Sequence, residues 1–196
     1  MATELIALTE CEEPWRMAKV QVEIRVAGAQ LLAEFKVTSS PLLSNDTLPY
    51  ERSAWGLWEH DVCELFVSQA QNQTDVATAP YYEFQVSPLG QHVNLKITEP
   101  RKTWQENLDV GLCVASQIHG SQVWQASICV ELQKMGLTKE LPIFGNAYSC
   151  LGPSQNRLYM ALHYRNDQGN KPLTVVAKDV DFHRRELFRP LWFGHF

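Results

Sequence analysis

The chain has 196 residues, with 17 Lys and Arg against 22 Asp and Glu, a formal net charge of −5, 45% hydrophobic residues and 20% charged ones. That balance fits a globular chain long enough to bury a core and argues against disorder. It also lacks the basic face that a nucleic-acid partner requires.

Residues 1–9 contain neither a positive charge nor an apolar run of signal-peptide length, and nowhere do 18 apolar residues follow one another. Neither an export signal nor a membrane span is expected, and a cytoplasmic protein is. A mature form from which an export signal had been removed would read the same way and would be extracellular. The five cysteines (Cys11, Cys63, Cys113, Cys129, Cys150) are odd in number, widely spaced and without a Cys-x-x-Cys pair. This favours reduced, structural thiols over a disulfide framework or a zinc site.

In chain order, residues 1–18 read as a lead-in segment. Val20, Val22, Ile24 and Val26 then alternate with Gln21, Glu23 and Arg25, the period of a half-buried strand. Gly28 turns the chain and residues 31–37 return as a second strand, so a hairpin is expected. Residues 39–53, rich in Ser, Pro, Asn and Asp, predict a long loop. They lead to the segment Trp55-Gly56-Leu57-Trp58-Glu59-His60-Asp61, irregular in pattern, and then to a buried strand over residues 62–67. Residues 69–80 read as a loop with no packing signal.

Tyr82, Phe84 and Val86 alternate with Glu83, Gln85 and Ser87; after Pro88-Leu89-Gly90, Val93, Leu95 and Ile97 alternate again, a second hairpin. Strands are expected at 112–118 and 123–130, a short helix within 131–141, and a strand pair at 144–150 and 158–164. A brief strand is expected at 175–178, and a terminal one at 188–193 whose Pro190 suggests an edge or a bulge. About ten short strands with one helix and no strand–helix alternation predict an all-β fold, two antiparallel sheets face to face in a single domain.

No serine-hydrolase, zinc-protease or phosphate-loop motif is present. The densest chemistry lies at Trp55, Trp58, Glu59, His60, Asp61 and Glu64. Flat aromatics beside carboxylates are what a sugar-binding surface uses, the ring covering the C–H face and the carboxylates accepting from hydroxyls. A tryptophan-anchored core corner with a solvated acidic rim would show the same residues. A second dense segment, Lys178-Asp179-Val180-Asp181-Phe182-His183-Arg184-Arg185, reads as a polar recognition loop or as a charged turn whose Phe182 plugs the core. Carboxylates such as Glu59, Asp61, Glu64 and Glu83 would serve acid/base glycoside hydrolysis at a suitable separation. Met160 and His163, three apart, fall on opposite faces of a strand.

These residues carry a resemblance. Trp58-Glu59-His60-Asp61-Val62-Cys63-Glu64-Leu65-Phe66 is similar to the Trp-Glu-x-Asp-x-x-Glu-x-Phe stretch of family 9 carbohydrate-binding modules. Tyr81-Tyr82-Glu83-Phe84-Gln85-Val86-Ser87-Pro88-Leu89-Gly90 and Asp181-Phe182-His183 with Phe188 resemble motifs of the intracellular, bacterial DOMON-like relatives. Trp124-Gln125-Ala126-Ser127-Ile128 sits where the family has an aromatic-rich inner strand. The resemblance runs over most of the chain from about Val20.

It implies a jelly-roll-type β-sandwich that binds a carbohydrate without catalysis. In sugar-binding members two tryptophans clamp a sugar while a carboxylate and an arginine hold its hydroxyls. Trp58 stands at the first tryptophan and Glu64 at the carboxylate. Phe182 stands where the second tryptophan would be, offering a smaller face, and Gln85 where the arginine would be, without its charged fork.

The resulting expectation is a carbohydrate site of Trp58, Glu64, Gln85, Asp179, Phe182 and Arg184, with Trp55, Asp61, Glu83 and His183 as secondary members. Calcium is a possibility of the family, although no acidic loop matches its sites, and haem would need a Met, His or Lys ligand set inside one end of the sandwich, Met160 being the only methionine well placed in an expected strand. The alternatives are a glycoside-processing enzyme using Glu64 and Glu83, and an interaction scaffold that has kept the fold without the ligand.

Overall fold

The computed structural model describes residues 1–9, 11–38, 40–42, 54–164 and 181–192. Its strands are β1 (Thr3–Glu4), β2 (Ile6–Ala7), β3 (Lys19–Ala27), β4 (Gln30–Thr38), β5 (Val62–Gln69), β6 (Tyr81–Val86), β7 (His92–Glu99), β8 (Thr103–Glu106), β9 (Cys113–Ile118), β10 (Val123–Glu131), β11 (Ile143–Leu151), β12 (Leu158–Ala161) and β13 (Arg189–Trp192). They form two antiparallel sheets. One has the order β1-β3-β4-β10-β9; the other runs β2-β12-β11-β5-β6-β7-β8, with β13 joining the edge of β11 that β12 leaves free. The chain is an all-β sandwich.

The period-two reading holds because each alternation has a core to face. In the five-stranded sheet Val20, Val22, Leu31, Ala33, Phe35 and Val37 point inward and their neighbours outward, and Gly28 turns the hairpin at φ +60°. Against them pack Leu65, Val67, Phe84, Val86 and Leu151 of the larger sheet. Met160 lies in this same intersheet core, 3% exposed, so the only methionine weighed as a haem ligand is a packing residue here. All five cysteines are free thiols.

The larger sheet differs in one respect that positions everything functional: a second apolar cluster covers its other face. Phe66, Tyr81, Val93, Leu95, Ile97, Phe144, Tyr148 and Phe188 belong to it, with Ala54, Leu57 and Val76 supplied from the connections. This double burial explains why residues 62–67 read as an apolar run rather than as an alternation.

Four expectations are corrected. The helix expected within 131–141 is a series of turns, in which Met135 N–H donates to the Glu131 carbonyl and Leu137 N–H to that of Leu132. Gly136, at φ +73°, breaks the helical path, while Leu132, Met135 and Leu137 plug the end of the core at a spacing that imitates a helix face. Residues 69–80 contain a one-turn helix, α1 (Gln73–Val76), capped by the Asn72 side chain accepting from the Thr74 and Asp75 N–H groups, with Val76 fully buried. The lead-in segment stitches the layers together, since β1 pairs with β3 of one sheet and β2 with β12 of the other. The strand expected at 158–164 stops at Ala161.

Pro190 does sit beside a bulge, in β13 opposite Ile143 and Phe144. Gly145 allows the close approach there: a Cβ on it would overlap the Phe66 carbonyl oxygen and the Leu191 side chain. The strand expected at 175–178 and most of the 39–53 loop lie outside the described residues.

Candidate functional site

On the covered face of the larger sheet, Glu64 of β5 lies opposite Gln85 of β6, and Phe66 lies opposite Glu83. Glu83 and Gln85, two apart on one strand, share that face, and the Gln85 Nε2 donates to Glu83 Oε1 at 2.6 Å. All three polar side chains are nearly inaccessible, at 2% for Glu64, 4% for Glu83 and 2% for Gln85. They line the floor of a cleft of about 320 Å³. Among the described residues, Glu83 Oε2 and Gln85 Oε1 are buried without a hydrogen-bond partner. Leaving such groups unmade is costly, of the order of 1–3 kcal/mol each.

One wall of the cleft is tryptophan. Gly56, at φ +88°, starts a 3-10 turn over Leu57–Glu59, and the buried Ala54 and Leu57 anchor it, which leaves Trp55 and Trp58 to line the cleft. Trp55 meets Trp58 edge-on at 4.9 Å and stacks at 5.7 Å, 18° between planes, on Trp104 from β8. Trp55 and Trp104 remain 48% and 41% exposed, a large apolar surface left open to solvent beside buried carboxylates.

Behind this wall, Arg157 clamps the turn from below, its guanidinium donating to the carbonyls of Trp58, Glu59, His60 and Gly152. Asp61 belongs to the same support. It is fully buried and accepts from the Gly152 N–H at 2.8 Å, and it does not line the cleft.

The opposite wall comes from residues 181–184. An Asx turn, in which the His183 N–H donates to Asp181 Oδ1, shapes the segment, and the Tyr148 hydroxyl donates to the Phe182 carbonyl at 3.1 Å. Phe182 is 7% exposed and stacks on Tyr148 at 4.2 Å and 14° between planes, with Tyr159 edge-on to it. One face of its ring is therefore occupied by Tyr148, and the open aromatic area lies across the cleft on Trp55 and Trp104. His183 Nδ1 is 2.6 Å from the Tyr81 hydroxyl and 3.9 Å from Glu83 Oε2. Arg101, in the turn between β7 and β8, completes the rim and pairs with Asp181 at 3.4 Å.

The electrostatics follow from burial. Desolvation, then the neighbouring Glu83, pushes the Glu64 carboxyl well above the usual carboxylate range, and Arg157 pulls it partly back. Burial raises Glu83 to about 7, against a smaller opposing effect of the Gln85 hydrogen bond. The two carboxyls titrate as a pair that keeps a proton near neutrality. Burial lowers His183, with Asp181 and Arg101 acting in opposite directions, so its imidazole is neutral there. Burial also lowers His163 to about 4.

Among the residues expected from sequence, the cleft brings together Trp58, Glu64, Gln85 and Phe182, with Trp55, Glu83 and His183 beside them. It excludes Arg184, whose Nε donates to Glu186 Oε1 at 2.6 Å on the surface, as well as Asp61. Asp179 lies outside the described residues. Sequence reasoning missed Trp104, Arg101 and Tyr159. Only Trp104 left a signal, a lone tryptophan in a polar stretch just past Pro100. Among the described residues no group of three or more His, Cys, Asp or Glu is placed to hold a metal ion, and no helix is long and apolar enough to cross a membrane.

No family model matches the chain. The chain is 28% identical over 144 residues to the mouse UPF0462 protein C4orf33 homolog, covering 70% of this chain and 64% of that protein. The rat counterpart is 27% identical over 138 residues, covering 70% and 61%. The chain thus spans less than two thirds of the length of these curated relatives. Among solved structures, a family 9 carbohydrate-binding module from Caldicellulosiruptor kristjanssonii, in complex with glucose, aligns over 92% of this chain and 79% of its own at 11% identity and a TM-score of 0.49. A candidate carbohydrate-binding protein from Bacteroides uniformis aligns over 96% of this chain and 84% of its own, with 15% identity and a TM-score of 0.69. That last likeness shows the sandwich fold which the sequence motifs implied.

Proposed function

We propose that the cleft binds a carbohydrate. The observation that carries this reading is the exposed Trp55–Trp104 surface lining the same cleft as a buried floor whose Glu83 Oε2 and Gln85 Oε1 have no hydrogen-bond partner among the described residues. A sugar ring has an apolar C–H face for the indoles and hydroxyl edges that donate to carboxylate and amide oxygens. Arg101, at the rim, supplies donors for a ring or hydroxyl oxygen. The neighbouring folds described above support the same reading. The test is intrinsic tryptophan fluorescence during titration with mono- and oligosaccharides. A saturable change whose midpoint moves to about tenfold higher sugar concentration in Trp104→Ala is expected; no saturable change with any sugar, in folded protein, would overturn it.

The raised carboxyl pair favours a second reading, acid/base processing of a glycosidic bond by Glu64 and Glu83. It requires hydrolysis of an oligosaccharide that disappears in the Glu64→Gln/Glu83→Gln double variant. Binding without turnover in the wild-type protein removes it.

A further inference from the structure

We propose that the carbohydrate recognised here is an amino sugar, whose protonated amino group sits on Glu83 Oε2 and Gln85 Oε1 against the tryptophan wall. The inference rests on the carbohydrate reading and adds the chemical class of its ligand. The argument begins with charge. Two carboxyls, Glu64 and Glu83, lie buried on one floor, and the two arginines beside the cleft among the described residues have partners of their own. Arg157 is held by four backbone carbonyls, and Arg101 is in its ion pair with Asp181.

Glu83 is faced by Glu64 from β5, by Tyr81 from its own strand and by His183 from the 181–184 segment. His183 is neutral and engaged with the Tyr81 hydroxyl. Among the described residues, only the Gln85 hydrogen bond stabilises the ionised form of Glu83.

A hydroxyl would give the two orphaned oxygens a hydrogen bond but leave the buried charge uncompensated. An ammonium gives both, with three donors for the two orphaned oxygens. The wall suits the same group. Indole faces attract cations, more strongly where water is partly excluded, and three tryptophans line one side of this cleft. An N-acetylated or neutral sugar would use the wall but not the charge.

The test compares glucosamine, galactosamine and mannosamine with their neutral parents and N-acetyl derivatives at pH 7, by calorimetry and tryptophan fluorescence. At least one hexosamine is expected to bind ten times or more tightly than both its parent and its N-acetyl form. That preference should vanish in Glu83→Gln. The wild-type comparison decides the question even if the variant fails to fold. Equal or tighter binding of the neutral parents would overturn the amino-sugar inference and leave the carbohydrate reading intact. Absence of binding by every sugar in the panel would overturn both.

Discussion

The two faces of the eight-stranded sheet are built from the same strands and do opposite work. On β5 and β6 the side chains Cys63, Leu65, Val67, Tyr82, Phe84 and Val86 face the other sheet, whereas Glu64, Phe66, Tyr81, Glu83 and Gln85 face the cleft side. The first face is closed by strands, with its contacts fixed by sheet packing. The second is covered by connections, the turn at 54–59 and the segment at 181–188, which leave a gap over the polar residues. A sheet covered by strands can make only a core. Covered by loops, it can also keep buried carboxylates, because loops can be spaced apart at chosen places.

The comparison can be broken most forcefully from beneath the tryptophan wall. Arg157→Ala would strip four carbonyls of their donor and leave Glu64 without the nearby cation, so a loss of about 3–5 kcal/mol is expected in urea unfolding. A loss below 1 kcal/mol would show that the turn stands without it. On the strand-covered face, Leu65→Ala should cost about 2–5 kcal/mol through the cavity it opens, with sugar affinity of the folded fraction unchanged.

On the loop-covered face the effects change sign. Because the folded-state pKa of Glu83 lies above its ordinary value of 4.5, at about 7, the folded state binds the extra proton. Its contribution is therefore fully present below 4.5 and is lost as pH rises through 7, by up to about 3 kcal/mol. Thermal unfolding of the unliganded protein should thus fall in Tm across that window. The Glu83→Gln variant should lose part of the slope, the remainder belonging to Glu64; an unchanged slope would place the titration elsewhere. Smallest in stability and largest in binding, Trp104→Ala should shift unfolding by no more than about 1 kcal/mol, since its ring is 41% exposed. It should weaken sugar binding about tenfold, as loss of an aromatic platform does.

Much of this was legible in the chain. The hairpins at Val20–Val26 with 31–37 and at Tyr82–Val86 with 93–97 follow from alternation, because each strand there has one face on the intersheet core. Trp55, Trp58 and Glu64 stand close enough in sequence to suggest a site without knowledge of the fold. Residues 131–141 misled because buried Leu132, Met135 and Leu137 repeat at intervals close to those of a helix, and only the left-handed Gly136 shows that the chain turns instead.

What the sequence by itself determined was therefore which strands exist and which residue types could recognise a sugar. Only the tertiary structure decided their company. It set Glu64 across from Gln85 and beside Glu83, drew Trp104 and Arg101 into the cleft from the β7–β8 hairpin, and turned Asp61 and Arg184 away to support and surface. The physical reason is that alternation assigns a side chain to a face, while strand order, register and the loops above that face assign its neighbours. A carboxylate's proton and a tryptophan's exposure depend on those neighbours.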